Sequence, residues 1–114
     1  MSINVVTSFT RQGYDIYGQN FIESFLEFWP SDVRLTVFYE GKDCPIKDHR
    51  VNVKNITEVE FHDQFMSALI FPVMRGGLGE NYNINLDAGM ARKVFIQMHA
   101  MKTMLGKIFW LDAD

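Results

Sequence analysis

At 114 residues the chain holds at most one domain, with a core of modest size. Its 47% hydrophobic and 22% charged residues, with only three prolines, exclude a disordered or low-complexity chain. A net charge of -3 with scattered Lys and Arg leaves no basic stripe for nucleic acid, and the one cysteine, Cys44, excludes an internal disulfide and a cysteine zinc site.

Ile3 to Phe9 is a short apolar run rich in β-branched residues, followed by the polar "TRQG"; it reads as a strand delivered into a loop. "YGQNFIESFLEFWP" then places Phe21, Ile22, Phe25, Leu26, Phe28 and Trp29 at helical spacing, and Pro30 closes the helix. "DVRLTVFYEG" alternates and stops at Gly41 as a second strand does, and "CPIKDHR" makes a polar loop before a third β-rich piece at about Val51 to Ile56. A helix is expected around Glu58 to Ile70, bounded by Pro72, and "RGGLGENYNINLD" has loop composition. Its glycines lack the full dinucleotide or P-loop pattern, so a plain loop is favoured over a phosphate cradle.

"AGMARKVFIQMHAMKTML" carries Ala91, Val94, Phe95, Met98, Met101 and Leu105 at spacings of three and four. The spacing predicts a helix with its methionine-rich face packed as core, Asp87 as N-cap and Gly106 at its C-terminus. The last run, "KIFWLDAD", reads as a strand apolar enough to be buried on both faces, which calls for neighbours on each side; this chain can supply them on one side only if the strand lies next to the first, and an exposed edge carrying Phe109 and Trp110 is expected. Strands alternating with helices predict an α/β fold with a mainly parallel sheet flanked by helices, in a single domain over 1–114.

Parallel sheets bind ligands at the carboxyl ends of their strands, where three segments converge here: "TSFTR", "YEGKD" and "DAD". Asp112 and Asp114, two residues apart, point the same way in a regular strand and can offer oxygen ligands to a hard divalent cation. An Asp-x-Asp pair is weak evidence by itself, since aspartate also commonly ends strands. His49, His62 and His99 lie on separate segments without metal-ligand spacing, no Ser, His and acid set forms a nucleophilic triad, and the Asn55 glycosylation pattern has no leader to give it meaning. A phosphohydrolase with an aspartate nucleophile fits less well, because such a pair usually follows the first strand. No window approaches the roughly 18 apolar residues of a membrane span, and the N-terminus has no basic targeting region, so a cytoplasmic protein is expected.

The strand "VVTSFT", the helix "YGQNFIESFLEFWP", the strand "VRLTVFYEG" and the closing "ARKVFIQMHAMKTMLGKIFWLDAD" together resemble the N-terminal, nucleotide-sugar-binding half of a GT-A-type glycosyltransferase. The resemblance covers nearly the whole chain and is weakest over about Glu58 to Asn85. It implies a Rossmann-like sheet and a metal-dependent glycosyltransferase with Mn2+ or Mg2+ as cofactor and a UDP- or GDP-sugar as donor. Carried over by position, it implies nucleoside contacts from Thr7, Ser8 and Phe9, a base contact from Glu40, phosphate contacts from Arg92 or Lys93, and metal ligation by Asp112 and Asp114, with Asp112 also meeting the substrate. Arg92 and Lys93 face about 100° apart on a helix, so one of them, Lys93 by preference, is expected to serve the site. In such enzymes the acceptor site and catalytic base follow the Asp-x-Asp, so the domain is expected to be incomplete at its C-terminus. The alternatives are a non-catalytic nucleotide-sugar-binding remnant, or one part of a split enzyme, either self-associating or completed by a C-terminal segment.

Overall fold

A computed structural model of the chain describes residues 3–41, 44–59, 63–64 and 84–113, with residues 84–91 described as backbone. Four strands, β1 (Ile3–Thr10), β2 (Val33–Glu40), β3 (Val51–Asn55) and β4 (Lys107–Trp110), form an all-parallel sheet in the order β3-β2-β1-β4. Helices lie on both of its faces, so the fold is α/β and Rossmann-like. Strand alternation divides the core. Val5, Phe9, Leu35, Val37 and Tyr39 point to one face and pack with Ile22 and Phe25; Val6 and Phe38 point to the other and pack with Ile56, Ile96 and Ala100.

The first crossover starts sooner than the sequence suggests. "TRQG" is no loop: Thr10 caps α1 (Arg11–Gly13), its hydroxyl accepting from Gly13 N–H at 3.0 Å. A π-helical segment, Tyr14–Gly18, leads without interruption into α2 (Gln19–Phe28). Gly18 sits where an added Cβ would lie 3.1 Å from the Phe9 ring, so a glycine that resembles a breaker is there for close approach. α2 stops at Trp29, extended ahead of Pro30. Arg50 covers its open carbonyls, donating to Leu26 O at 3.0 Å and Pro30 O at 3.3 Å.

After β3, Asn55 binds back to Gly41 O at 2.9 Å and caps a short 3-10 turn, Ile56–Glu58. The helix expected around Glu58 to Ile70 and the "RGGLGE" loop lie, apart from Glu58, Val59, Asp63 and Gln64, outside the described residues. The second long helix, α3 (Ile84–Thr103), begins before Asp87, which therefore stands inside the first turn instead of capping it; an acid suits either place, because both lie at the positive end of the helix. Gly106, with φ +89°, takes the left-handed turn into β4, and Asn4 Nδ2 donates to Leu105 O at 2.8 Å, tying the end of α3 to β1.

One packing expectation is corrected. α3 buries only part of the expected face: Met98, Met101 and Leu105 are exposed at 63%, 73% and 87%, Phe95 and Met104 pack half-buried against the core, and Ile96 and Ala100 are the residues buried against the sheet. Both sets satisfy a spacing of three or four, and the small Ala100 lets the helix lie close to Val6 and Phe38. β4 lies open on its outer side among the described residues, as expected of a last strand with no further strand beside it. It forms one edge of the sheet, with Ile108 and Trp110 half-buried towards α3 and Phe109 47% exposed on the other side. Its pairing with β1 is as expected, from Ile3 beside Lys107 to Val6 beside Trp110.

Candidate functional site

The order β3-β2-β1-β4 makes the chain step outward from β1 in one direction and return to β1's other side with β4. In parallel α/β sheets the crevice at such a reversal, outside the carboxyl ends of the strands, is where ligands bind. Glu40 closes β2, Ser8 and Thr10 end β1, and Asp112 lies two residues beyond β4. Ser8, Thr10 and Glu40 share the α3 face of the sheet by alternation with Val6 and Phe38.

α3 delivers two cations to this edge. Lys93 Nζ lies 2.6 Å from Asp112 Oδ1, and the Arg92 guanidinium pairs through Nη1 with Glu40 Oε1. Both adjacent residues therefore reach the edge, each paired with its own carboxylate. β1 lies between β2 and β4, and side chains about 100° apart reach the strand ends on either side of it. Arg92 and Glu40 are 28% and 23% exposed, and Arg92 Nε is buried with no hydrogen-bond partner among the described residues. Lys93 and Asp112 are more open, at 37% and 54%.

Trp110 is a site residue that sequence reasoning missed. Its indole N–H donates to Asp112 Oδ1 at 2.9 Å, so one oxygen holds two donors while Oδ2 makes no hydrogen bond among the described residues. The signal was present in the i, i+2 spacing, which turns Trp110 and Asp112 to one side. The Lys93 ammonium, and after it the Trp110 N–H, hold the Asp112 carboxyl below its ordinary value by favouring the charged form.

The remaining expected residues divide by face. Thr7 is fully buried on the α2 side with its hydroxyl unpartnered among the described residues, and Phe9 is buried there with its ring 6.3 Å from that of Tyr39, edge to face. Ser8, half-buried, is the one of the three that looks towards the paired charges. Asp114 lies outside the described residues. No family model, no curated protein and no solved structure matches the chain.

A hard divalent cation suits the oxygen chemistry of Asp112, an exposed carboxylate whose Oδ1 is already held by Lys93 and Trp110. Among the described residues no three acid, His or Cys side chains gather to hold a metal by themselves. A cavity of about 770 Å³ opens at the opposite edge of the sheet, near Asn4, Arg34, Asn52 and Leu105. It lies at the amino ends of the strands, away from the reversal, and we place the functional site at the carboxyl edge on that ground. No helix among the described residues is long and apolar enough to cross a membrane.

Proposed function

We propose that the chain binds a nucleotide-diphospho-sugar at the carboxyl edge of its sheet and belongs to the machinery of glycosyl transfer, with Mn2+ or Mg2+ as cofactor. The observation that carries this reading is the gathering of Glu40, Arg92, Lys93 and Asp112, charges of both signs, at the reversal between β1 and β4. Asp112 and Asp114 would hold the cation, which neutralises charge on a diphosphate leaving group. Lys93, which reaches the same edge from α3, would stabilise that developing charge, and Ser8 and Thr10, at the end of β1, would meet a sugar or nucleoside hydroxyl.

A second reading, a binding module that works only when another segment completes it, is favoured by the β4 edge, unpaired on its outer side among the described residues, and by its exposed Phe109. The two readings differ in turnover. Titration of Mn2+ with UDP or GDP, followed by paramagnetic broadening, is expected to bleach signals near Asp112 and Ser8, and Asp112→Asn with Asp114→Asn is expected to abolish the effect while the fold survives. Broadening confined to another surface refutes the site. Hydrolysis of a UDP- or GDP-sugar by the purified chain separates the enzyme from the binding module.

A further inference from the structure

The sheet face under α3 is not apolar throughout. On the α2 side every residue that β2 turns inward is apolar, Val33, Leu35, Val37 and Tyr39, as a parallel sheet covered on both faces requires. On the α3 side the carboxyl half is apolar at Val6 and Phe38, but the amino half is a polar floor. Asn4 stands beside Arg34, Thr36 is opposite Asn52, and Lys54 follows on the same face of β3. This floor underlies the cavity of about 770 Å³ at the amino ends of the strands.

The cavity is positive. Arg34, Arg50 and Lys54 line it, and no acidic side chain among the described residues does. In a chain of net charge -3 that is a local reversal of sign. Arg50 lends its charge from a fixed position, since its guanidinium is held by Leu26 O and Pro30 O. Arg34 and Lys54 make no ion pair among the described residues, whereas Arg11, Arg92 and Lys93 each face a carboxylate. A lysine on an edge strand such as β3 discourages pairing with other sheets, and Lys54 alone would need no further reason. Arg34 does not share that reason. β2 is an inner strand, and its arginine turns to a face on which the next two positions, Thr36 and Phe38, are buried.

We propose that this cavity is a second binding site, for a small phosphorylated molecule held between Arg34 and Lys54 over Thr36 and Asn52. The inference stands apart from the reading of the carboxyl edge, which lies at the other end of the same strands. Lys54 is in register with Phe38, four residues along β2 from Arg34, so the two cations start roughly 13 Å apart along the strands and their long side chains can close on a ligand from either end. The Thr36 hydroxyl and the Asn52 amide lie between them as neutral donors. Arg34 supplies a forked donor and Lys54 a point charge, so oxygens that point in different directions are all met. A tetrahedral phosphoryl group has such oxygens, whereas those of a carboxylate share one plane. The volume is that of a site for a small organic molecule, with room beyond the phosphate for the group that carries it.

Inorganic phosphate, pyrophosphate and citrate are titrated without metal, at constant ionic strength, against the 15N-labelled chain. 1H–15N spectra report the backbone amides of Arg34, Thr36, Asn52 and Lys54 and the side-chain amide of Asn52, while the amides of Ser8 and Asp112 report the carboxyl edge separately. The expected result is a saturable shift of the first set with phosphate and pyrophosphate, and weaker binding of citrate, which offers similar charge on carboxylates. Arg34→Met and Lys54→Met should each weaken phosphate binding about two- to fivefold, the range an open ion pair supports. Lys107→Met removes the same charge from the same end of the sheet but from its other face, and should leave phosphate binding unchanged. Should either cavity variant fail to fold, Arg34→Gln or Lys54→Gln takes its place. An equal loss in Lys107→Met, or shifts that spread over the surface without saturating, would show general charge attraction and overturn the site. Citrate binding as tight as that of pyrophosphate would overturn the phosphate class, and no shift at the floor with any of the three would overturn the proposal entirely.

Discussion

The pair between Arg92 and Glu40 joins α3 to the end of β2, and a double-mutant cycle measures how firmly. Arg92→Met keeps most of the aliphatic stem against the sheet and removes the guanidinium, leaving a carboxylate that is 23% exposed without its partner. An open ion pair contributes about 0.2–1 kcal/mol, and breaking a fully buried one costs about 3–5 kcal/mol. With roughly a quarter of each side chain in solvent, Arg92→Met is expected to cost about 1–2 kcal/mol, nearer the open limit. For a domain of this length that is a fall in Tm of roughly 4–8 °C. Urea unfolding of wild type, Arg92→Met, Glu40→Gln and the double variant should give a coupling energy of about 1 kcal/mol. Coupling below about 0.3 kcal/mol, the scatter of independent sites, would refute the view that this pair anchors α3 to the carboxyl edge.

Phe25 is 2% exposed, stacked on Trp29 at 5.4 Å and covered by the Arg50 guanidinium at 5.9 Å; Phe25→Ala should cost about 3–5 kcal/mol in the same urea experiment. Gly41 has φ +145° and a Cβ there would lie 3.0 Å from the Tyr39 ring, so Gly41→Ala should destabilise by about 1–3 kcal/mol, and an unchanged melting curve would contradict the strain. Asp112 should titrate below its ordinary value by carboxyl NMR, and Lys93→Met should raise that midpoint. Because the folded value is depressed, the pair's small contribution to stability is present above the unfolded midpoint and is lost as pH falls through the folded one. An Asp112 midpoint indifferent to Lys93→Met would show that Lys93 does not hold the carboxylate.

By itself the sequence determined what is local and periodic. The β-branched runs at Ile3 to Phe9 and Val33 to Tyr39, the helical spacing of Ile22 and Phe25, and the stop at Pro30 are written in neighbouring residues, because strands and helices repeat over two residues and over about three or four. From their alternation followed the parallel sheet, and from the sheet the carboxyl edge on which Glu40, Arg92, Lys93 and Asp112 meet. Only the tertiary structure decided what depends on distant partners. Two faces of α3 satisfied the same spacing, and the surface offered by Val6 and Phe38 selected the one with Ile96 and Ala100. The apolar β4 runs along one edge of the sheet because order across a sheet is set by crossovers, which composition does not encode. The assignment of Lys93 to Asp112 and of Arg92 to Glu40 spans 19 and 52 positions, as the intervening numbers show, and arises only where α3 crosses the end of β1 between their strands. A local pattern can state which charges a segment carries; which charge faces which is a property of the packed layers.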